Sequence, residues 1–314
     1  MRRGLTHTPP TSILRAALLV ACVGLALGDV ARVGAQQPTT TPAATSPHLD
    51  SLRRAWRVPP PPVQLITTAA FLGAPGSSLG NPSATGTGTG DYFVGAGFQG
   101  RTRYTHDADG GFGFGFGLGD PEQGVGLETV VTSFSSVRHP PFSIGGISAK
   151  LHRRFDNNQV LVAAGYENLA SWGALSDGGR SIYAEVGRIF LLRESAESPF
   201  SILSASVGLG DGRFRSEQDV KDKRETIGVF GGLGLRITPQ VALSSEWTGQ
   251  NLNAGFMLTP LPGRGIVATV GMADLTHHSG DGARFIMSLG FGLSTRQDRR
   301  ILSEEDRNAI FKQP

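Results

Sequence analysis

The chain has 314 residues, with 29 Lys and Arg against 26 Asp and Glu, 44 glycines, 19 prolines and one cysteine. A single cysteine excludes a disulfide framework within the chain. Residues 1–35 hold four arginines and one aspartate, so without them Lys+Arg falls from 29 to 25, Asp+Glu falls from 26 to 25, and the net charge is zero. The basic balance therefore belongs to the leader and gives no reason to expect a nucleic-acid partner.

The leader comes first. Arg2 and Arg3 precede an apolar run from Ala16 to Gly28, and Val33-Gly34-Ala35 supplies small residues before Gln36. Positive charge, a short apolar core and a small-residue site predict a secretory signal peptide over residues 1–35. The run is shorter than the roughly 20 residues that a membrane-spanning helix needs. Leu19-Val20-Ala21-Cys22 also resembles a lipoprotein box, with Cys22 as the lipidated residue, although the apolar run continues past it.

Residues 36–90 read as a periplasmic linker, rich in Pro and Thr at first and in Gly and Ser later. Ser46-Pro47 is a helix start signal, and Leu49, Leu52 and Trp56 then share one helical face, which predicts a short helix near 47–57. Gly76 to Gly90 reads as a mobile connector.

From residue 91 to 294 the pattern changes to period two. Tyr92, Val94, Ala96 and Phe98 share a face, as do Phe112, Phe114, Phe116 and Leu118, which alternate with glycine. A helix would scatter those phenylalanines, whereas a strand puts them all on one side. Similar alternation recurs through Leu127 and Val131, Ile147 and Leu151, Val160 and Tyr166, Ile182 and Val186, and Leu203 and Leu209. It continues through Val229 and Leu235, Leu243 and Trp247, Leu252 and Leu258, Ile266 and Met272, and Phe285 and Leu293. The reading is all-β, an antiparallel transmembrane β-barrel of about 12 strands (10–14), apolar outside and polar inside.

A soluble β-sandwich would also alternate. The export signal favours the barrel, as does the scarcity of lysine on the strands, where only Lys150 falls, and so do the aromatics Tyr92, Tyr104, Tyr166 and Trp247 at strand ends. With both chain ends periplasmic, the long connections Leu169–Gly179 and Asp211–Glu225 fall outside. The tight turns at 156–158 and 238–240 fall inside, as barrels of this kind require. Residues 295–314 form a charged tail, where Ser303 and Asp306 predict a short helix through Ala309, Ile310 and Phe311.

The polar face gathers the candidate pore-lining residues Arg101, Arg103, Glu128, Lys150, His152, Glu167, Glu185, Arg236, Glu246 and Arg284, with Arg154 beside them. They either select solutes by charge or neutralise one another in a closed lumen. Asp-Gly pairs at 109–110, 177–178, 211–212 and 281–282, with Arg180, Arg213 and Arg284 close behind three of them, suggest either rim sites for divalent cations or lipopolysaccharide phosphates, or ordinary turn chemistry. The Gly111–Gly119 run has no following helix and no Lys-Ser ending, so it is not a phosphate loop. His277-His278 has no spaced acid or cysteine. No catalytic residue, metal ligand or cofactor is expected, and the chain is not read as an enzyme.

Several phrases resemble a family of uncharacterised bacterial outer-membrane proteins of cyanobacterial type. They are Phe93-Val94-Gly95-Ala96-Gly97-Phe98-Gln99, Gly117-Leu118-Gly119-Asp120-Pro121, Val125-Gly126-Leu127-Glu128, Trp247-Thr248-Gly249-Gln250-Asn251-Leu252 and Asp281-Gly282-Ala283-Arg284-Phe285. The resemblance implies a barrel and no particular activity. The expected partners are outer-membrane lipid, lipopolysaccharide and the barrel-assembly machinery. The expected role is a small porin-like channel, or else a non-conducting, envelope-organising barrel, possibilities that include a link to exopolysaccharide.

Overall fold

A computed structural model describes residues 79–102, 106–134, 136–137, 139–155, 159–173, 179–193, 198–261, 265–277 and 282–295. The leader, the 47–57 helix, Arg103, Tyr104, His278 and the 303–311 helix lie outside the described residues.

The period-two segments form β1 (Asp91–Gln99), β2 (Asp109–Gly119), β3 (Gly126–Ser133), β4 (Gly145–Phe155), β5 (Val160–Trp172) and β6 (Ser181–Leu191). They continue as β7 (Ile202–Gly210), β8 (Gly228–Thr238), β9 (Val241–Trp247), β10 (Leu252–Leu258), β11 (Ile266–Ala273) and β12 (Arg284–Ser294). Every strand pairs antiparallel with its sequence neighbour, and β1 pairs with β12, from Asp91 opposite Ser294 to Gln99 opposite Ile286. The sheet is thus a closed barrel of 12 strands without an open edge, so its strand hydrogen bonds are satisfied internally.

The odd-to-even connections share one rim. The largest of them, residues 211–227, carries the short helix α1 (Glu217–Lys221), capped by Ser216, whose side chain accepts the Asp219 N–H. The even-to-odd connections share the other rim and include the tight 239–240 turn. The asymmetry holds for most connections, but 192–201 at the turn rim is longer than 248–251 at the long-loop rim. The expected Leu169–Gly179 loop is shorter than its sequence suggests, because β5 runs on to Trp172. A bulge opposite Ser148 lets it do so. Asn168 occupies the left-handed region there at φ 53°, with its N–H on the Ser148 hydroxyl at 3.0 Å.

The apolar face points outward, as the alternation requires. Val94, Phe114, Leu151, Val207, Val229, Leu233, Phe256 and Leu289 are all exposed. Among the described strand residues, the outward-facing charges are Arg153 and Arg188, both near the turn rim. Each guanidinium covers a phenylalanine on its own strand, Phe155 at 4.8 Å and Phe190 at 5.4 Å.

The inward face is tailored by glycine. Tyr183 stands across from Gly165, Phe230 from Gly208, and Phe93 from Gly115. In each pair the ring lies where a glycine Cβ would be, so the glycine makes room for its neighbour's ring. Tyr183, Phe214 and Phe230 form an inner aromatic cluster, with Phe214 stacked on Phe230 at 4.3 Å.

Candidate functional site

Several of the inward charges grip a piece of the chain itself. Residues 79–90, taken from sequence as the end of a linker, lie inside the barrel as a strap. The reading of this stretch as a connector outside the barrel is corrected by those contacts. Gly, Ser and Thr leave the strap narrow enough to fit, and it is held through its own peptide groups together with the side chains of Asn81, Ala84 and Thr87.

The grip starts near the long-loop rim. Glu246, next to the end of β9, accepts the Leu79 N–H at 2.7 Å and the Asn81 N–H at 3.0 Å. The Asn81 amide donates to the carbonyls of Gly231 and Trp247. Arg213, on the 211–227 connection, donates to the Gly80 carbonyl at 2.8 Å and to both oxygens of Glu167. Burial works against the Arg213 charge, but the adjoining Glu167 carboxylate outweighs it and holds the guanidinium above its ordinary value.

Lower down, Lys150 donates to the carbonyls of Ser83 at 3.2 Å and Thr85 at 2.6 Å, and pairs with Glu128 at 2.8 Å. Glu128 accepts both the backbone N–H and the hydroxyl of Thr87. The Arg154 guanidinium donates to the Gly86 carbonyl, and Nε2 of His152 lies 2.9 Å from the Thr87 carbonyl. The His152 ring sits between Gly86 of the strap and Gly126 of β3, and a Cβ at either glycine would lie 2.6 Å from Nε2. Ala84 packs against the inward Leu161, Ala163, Ile189 and Ile202. The strap ends where the Thr89 N–H meets the Gly119 carbonyl and Gly90, at φ 90°, reverses the chain into β1.

Of the ten candidate pore-lining residues, Glu128, Lys150, His152 and Glu246 thus bind the strap directly, and Glu167 acts through Arg213. Arg284 joins Asp274 and Gln99 at the long-loop rim, and Arg101 donates to the carbonyls of Gly282 and Ala283. Glu185 is buried beside the strap, and its Oε2 has no hydrogen-bond partner among the described residues. Arg236 is buried and inward near the turn rim, away from the strap contacts. Arg103 is outside the described residues. Most of the ten are spent on one another or on peptide groups.

Beside the strap lies a cavity of about 960 Å³, bounded by β1–β6, β11 and β12. Its walls mix small residues such as Gly95, Gly97, Thr132 and Ser288 with larger ones such as Phe93 and Tyr183, and the Glu128–Lys150 and Glu167–Arg213 pairs also line it.

Of the described Asp-Gly pairs, Asp211-Gly212 forms a turn, and Asp109-Gly110 opens β2. Asp211 accepts the Ile182 N–H, and Gly212 has φ 57°. Asp109 accepts the Gly110 N–H. Among the described residues, no cluster of three or more metal-ligating side chains forms. Sequence reasoning missed Asn81, Thr87, Tyr183 and Phe230. The signal that could have found the aromatics is the glycine facing each of them across the ladder.

No protein-family model matches the chain, so the resemblance drawn from its phrases rests on those phrases alone. No curated protein matches it in sequence either. Among solved structures the chain is similar to one described as "NanC porin structure in rhombohedral crystal form", at 8% identity over 65% of this chain and 99% of that one, with a TM-score of 0.39.

Proposed function

We propose that the chain is an exported outer-membrane barrel that works as a narrow, porin-like channel for small solutes. The outward face supports the membrane placement. Val94, Leu151, Leu233 and Leu289 are among the many large hydrophobic side chains that this face exposes. Arg153 and Arg188 fit that placement as side chains whose heads reach an interface near the turn rim. Outer-membrane lipid and lipopolysaccharide are the surroundings this reading requires, with the assembly machinery as the route into the membrane.

The observation that carries the channel reading is the cavity of about 960 Å³ beside the strap. Its lining of small residues interspersed with apolar side chains such as Phe93 and Ile286 suits the passage of small solutes, and Glu128–Lys150 and Glu167–Arg213 within it are paired. The strap favours the second reading, a barrel that conducts nothing and organises the envelope through its rims. Single-channel recording in planar bilayers tests the first against the second. Stable small steps from folded protein support a channel. Silence across repeated insertions of protein that migrates on gels as a folded, heat-modifiable barrel supports the structural role.

A further inference from the structure

The strap has a direction, and the direction has a consequence for topology. Residues 79–81 are bound to Glu246, Trp247 and Arg213, all at or near the long-loop rim. Residues 83–87 follow β4 downward, with Ser83 and Thr85 on Lys150, Gly86 on Arg154 and Thr87 on His152. Thr89 reaches the end of β2 at the turn rim, where it bridges Gly117 in parallel. The contacts progress from the long-loop rim to the turn rim, with one local inversion where Gly86 meets Arg154 and Thr87 meets His152 one step higher on β4. Ten residue steps at about 3.3 Å each reach about 33 Å at full extension, comparable to a hydrocarbon layer of about 30 Å, and the bends at residues 79–81 and 84 shorten that reach. The other described end, Thr295, follows β12 and bonds to the Gly90 carbonyl at the turn rim.

We infer that the two described ends of the chain, Leu79 and Thr295, lie on opposite sides of the membrane. The strap is a further crossing, made through the barrel's own lumen, and the barrel thereby holds Leu79 on the long-loop face. This rests on the reading that the barrel spans a membrane. It revises the sequence expectation that both flanks share the periplasmic side. An even number of strands returns the chain to its starting rim only if nothing crosses before β1.

The experiment uses the full chain with one epitope tag inserted between Ser77 and Ser78, or one appended after Pro314. Antibody binding is read on intact and on permeabilised cells, and heat-modifiable migration checks that each tagged barrel is folded. One tag is expected to be detected on intact cells and the other only after permeabilisation, whichever way the barrel faces. Detection of both tags under the same condition overturns the inference while leaving a membrane barrel in place. Recovery of the protein in the soluble fraction overturns the membrane reading and the inference together. Should the inserted tag prevent folding, Ser77→Cys and Ser303→Cys, labelled with a membrane-impermeant maleimide, give the same two-sided readout.

Discussion

One carboxylate oxygen of Glu128 accepts both the backbone N–H and the side-chain hydroxyl of Thr87, at 2.9 and 3.1 Å. The other oxygen holds Lys150 at 2.8 Å, and the same ammonium group reaches the carbonyls of Ser83 and Thr85. The strap is thus bound through its peptide groups by an ion pair on neighbouring strands, and the pairing of β3 with β4 places the two side chains directly opposite each other.

Removing one member leaves the other charge buried without its partner, which costs about 3–5 kcal/mol. Glu128→Ala should therefore loosen the strap. The barrel should remain, because its 12-strand ladder closes without the strap. The expected outcome is unchanged heat-modifiable migration together with a larger single-channel conductance. Lys150→Met should act alike, and the double variant should cost less than the sum of the two. Conductance identical to the parent in both single variants would show that the strap does not limit the passage.

Gly117 gives a steric route to the same end. A Cβ there would collide with the backbone of Thr87 and Gly88, which cannot yield as a flexible side chain would. Gly117→Val should displace the lower strap while leaving β2 favourable to strand, since valine suits that conformation. Limited proteolysis within residues 79–89 of the folded protein checks this. Protection equal to the parent's would argue against close packing at this point.

The outer face of the barrel was legible in the sequence because one rule governs it. Phe112, Phe114 and Phe116 alternate with glycine at the period of a strand, and the antiparallel ladder follows from the order of such runs. The strap was not legible. Residues 79–90 have no periodicity, and their conformation is imposed by Glu128, Lys150 and Glu246, which are remote in sequence. Tyr183 and Phe230 fall on the inward face by the same alternation that turns Ile182, Val186, Val229 and Leu235 outward. What alternation does not give is the room for an inward ring, which the glycine facing each across the ladder supplies. The charged residues were found by their face. Their purpose was not, since a pore lining and a set of anchors for peptide groups use the same residue types.

The outward placement of the apolar residues makes a further prediction. Leu289 lies mid-strand on β12 and is 58% exposed. Leu289→Arg should destabilise the barrel in a bilayer by about 2–4 kcal/mol if that face meets acyl chains near the midplane. The same substitution at Leu293, closer to the turn rim, should cost less, because the penalty falls toward the interface. Denaturant titration of folding into lipid vesicles measures both. Equal and negligible effects at the two positions would fit a face that meets water.

Glu246 offers the sharpest separation of the two ends of the strap. Its two oxygens accept the N–H groups of Leu79 and Asn81. Glu246→Gln keeps the size of the side chain but turns one acceptor into a donor, which must then face an N–H. A buried donor left unsatisfied costs about 1–3 kcal/mol. The upper strap should loosen, while Thr87 stays on Glu128 and Thr89 stays on Gly119. Hydrogen exchange should therefore accelerate at Leu79 and Asn81 and remain slow at Thr87 and Thr89. In Glu128→Gln the order should reverse. Uniform acceleration along the strap in both variants would mean that it detaches as one unit and that its two anchors cannot act separately.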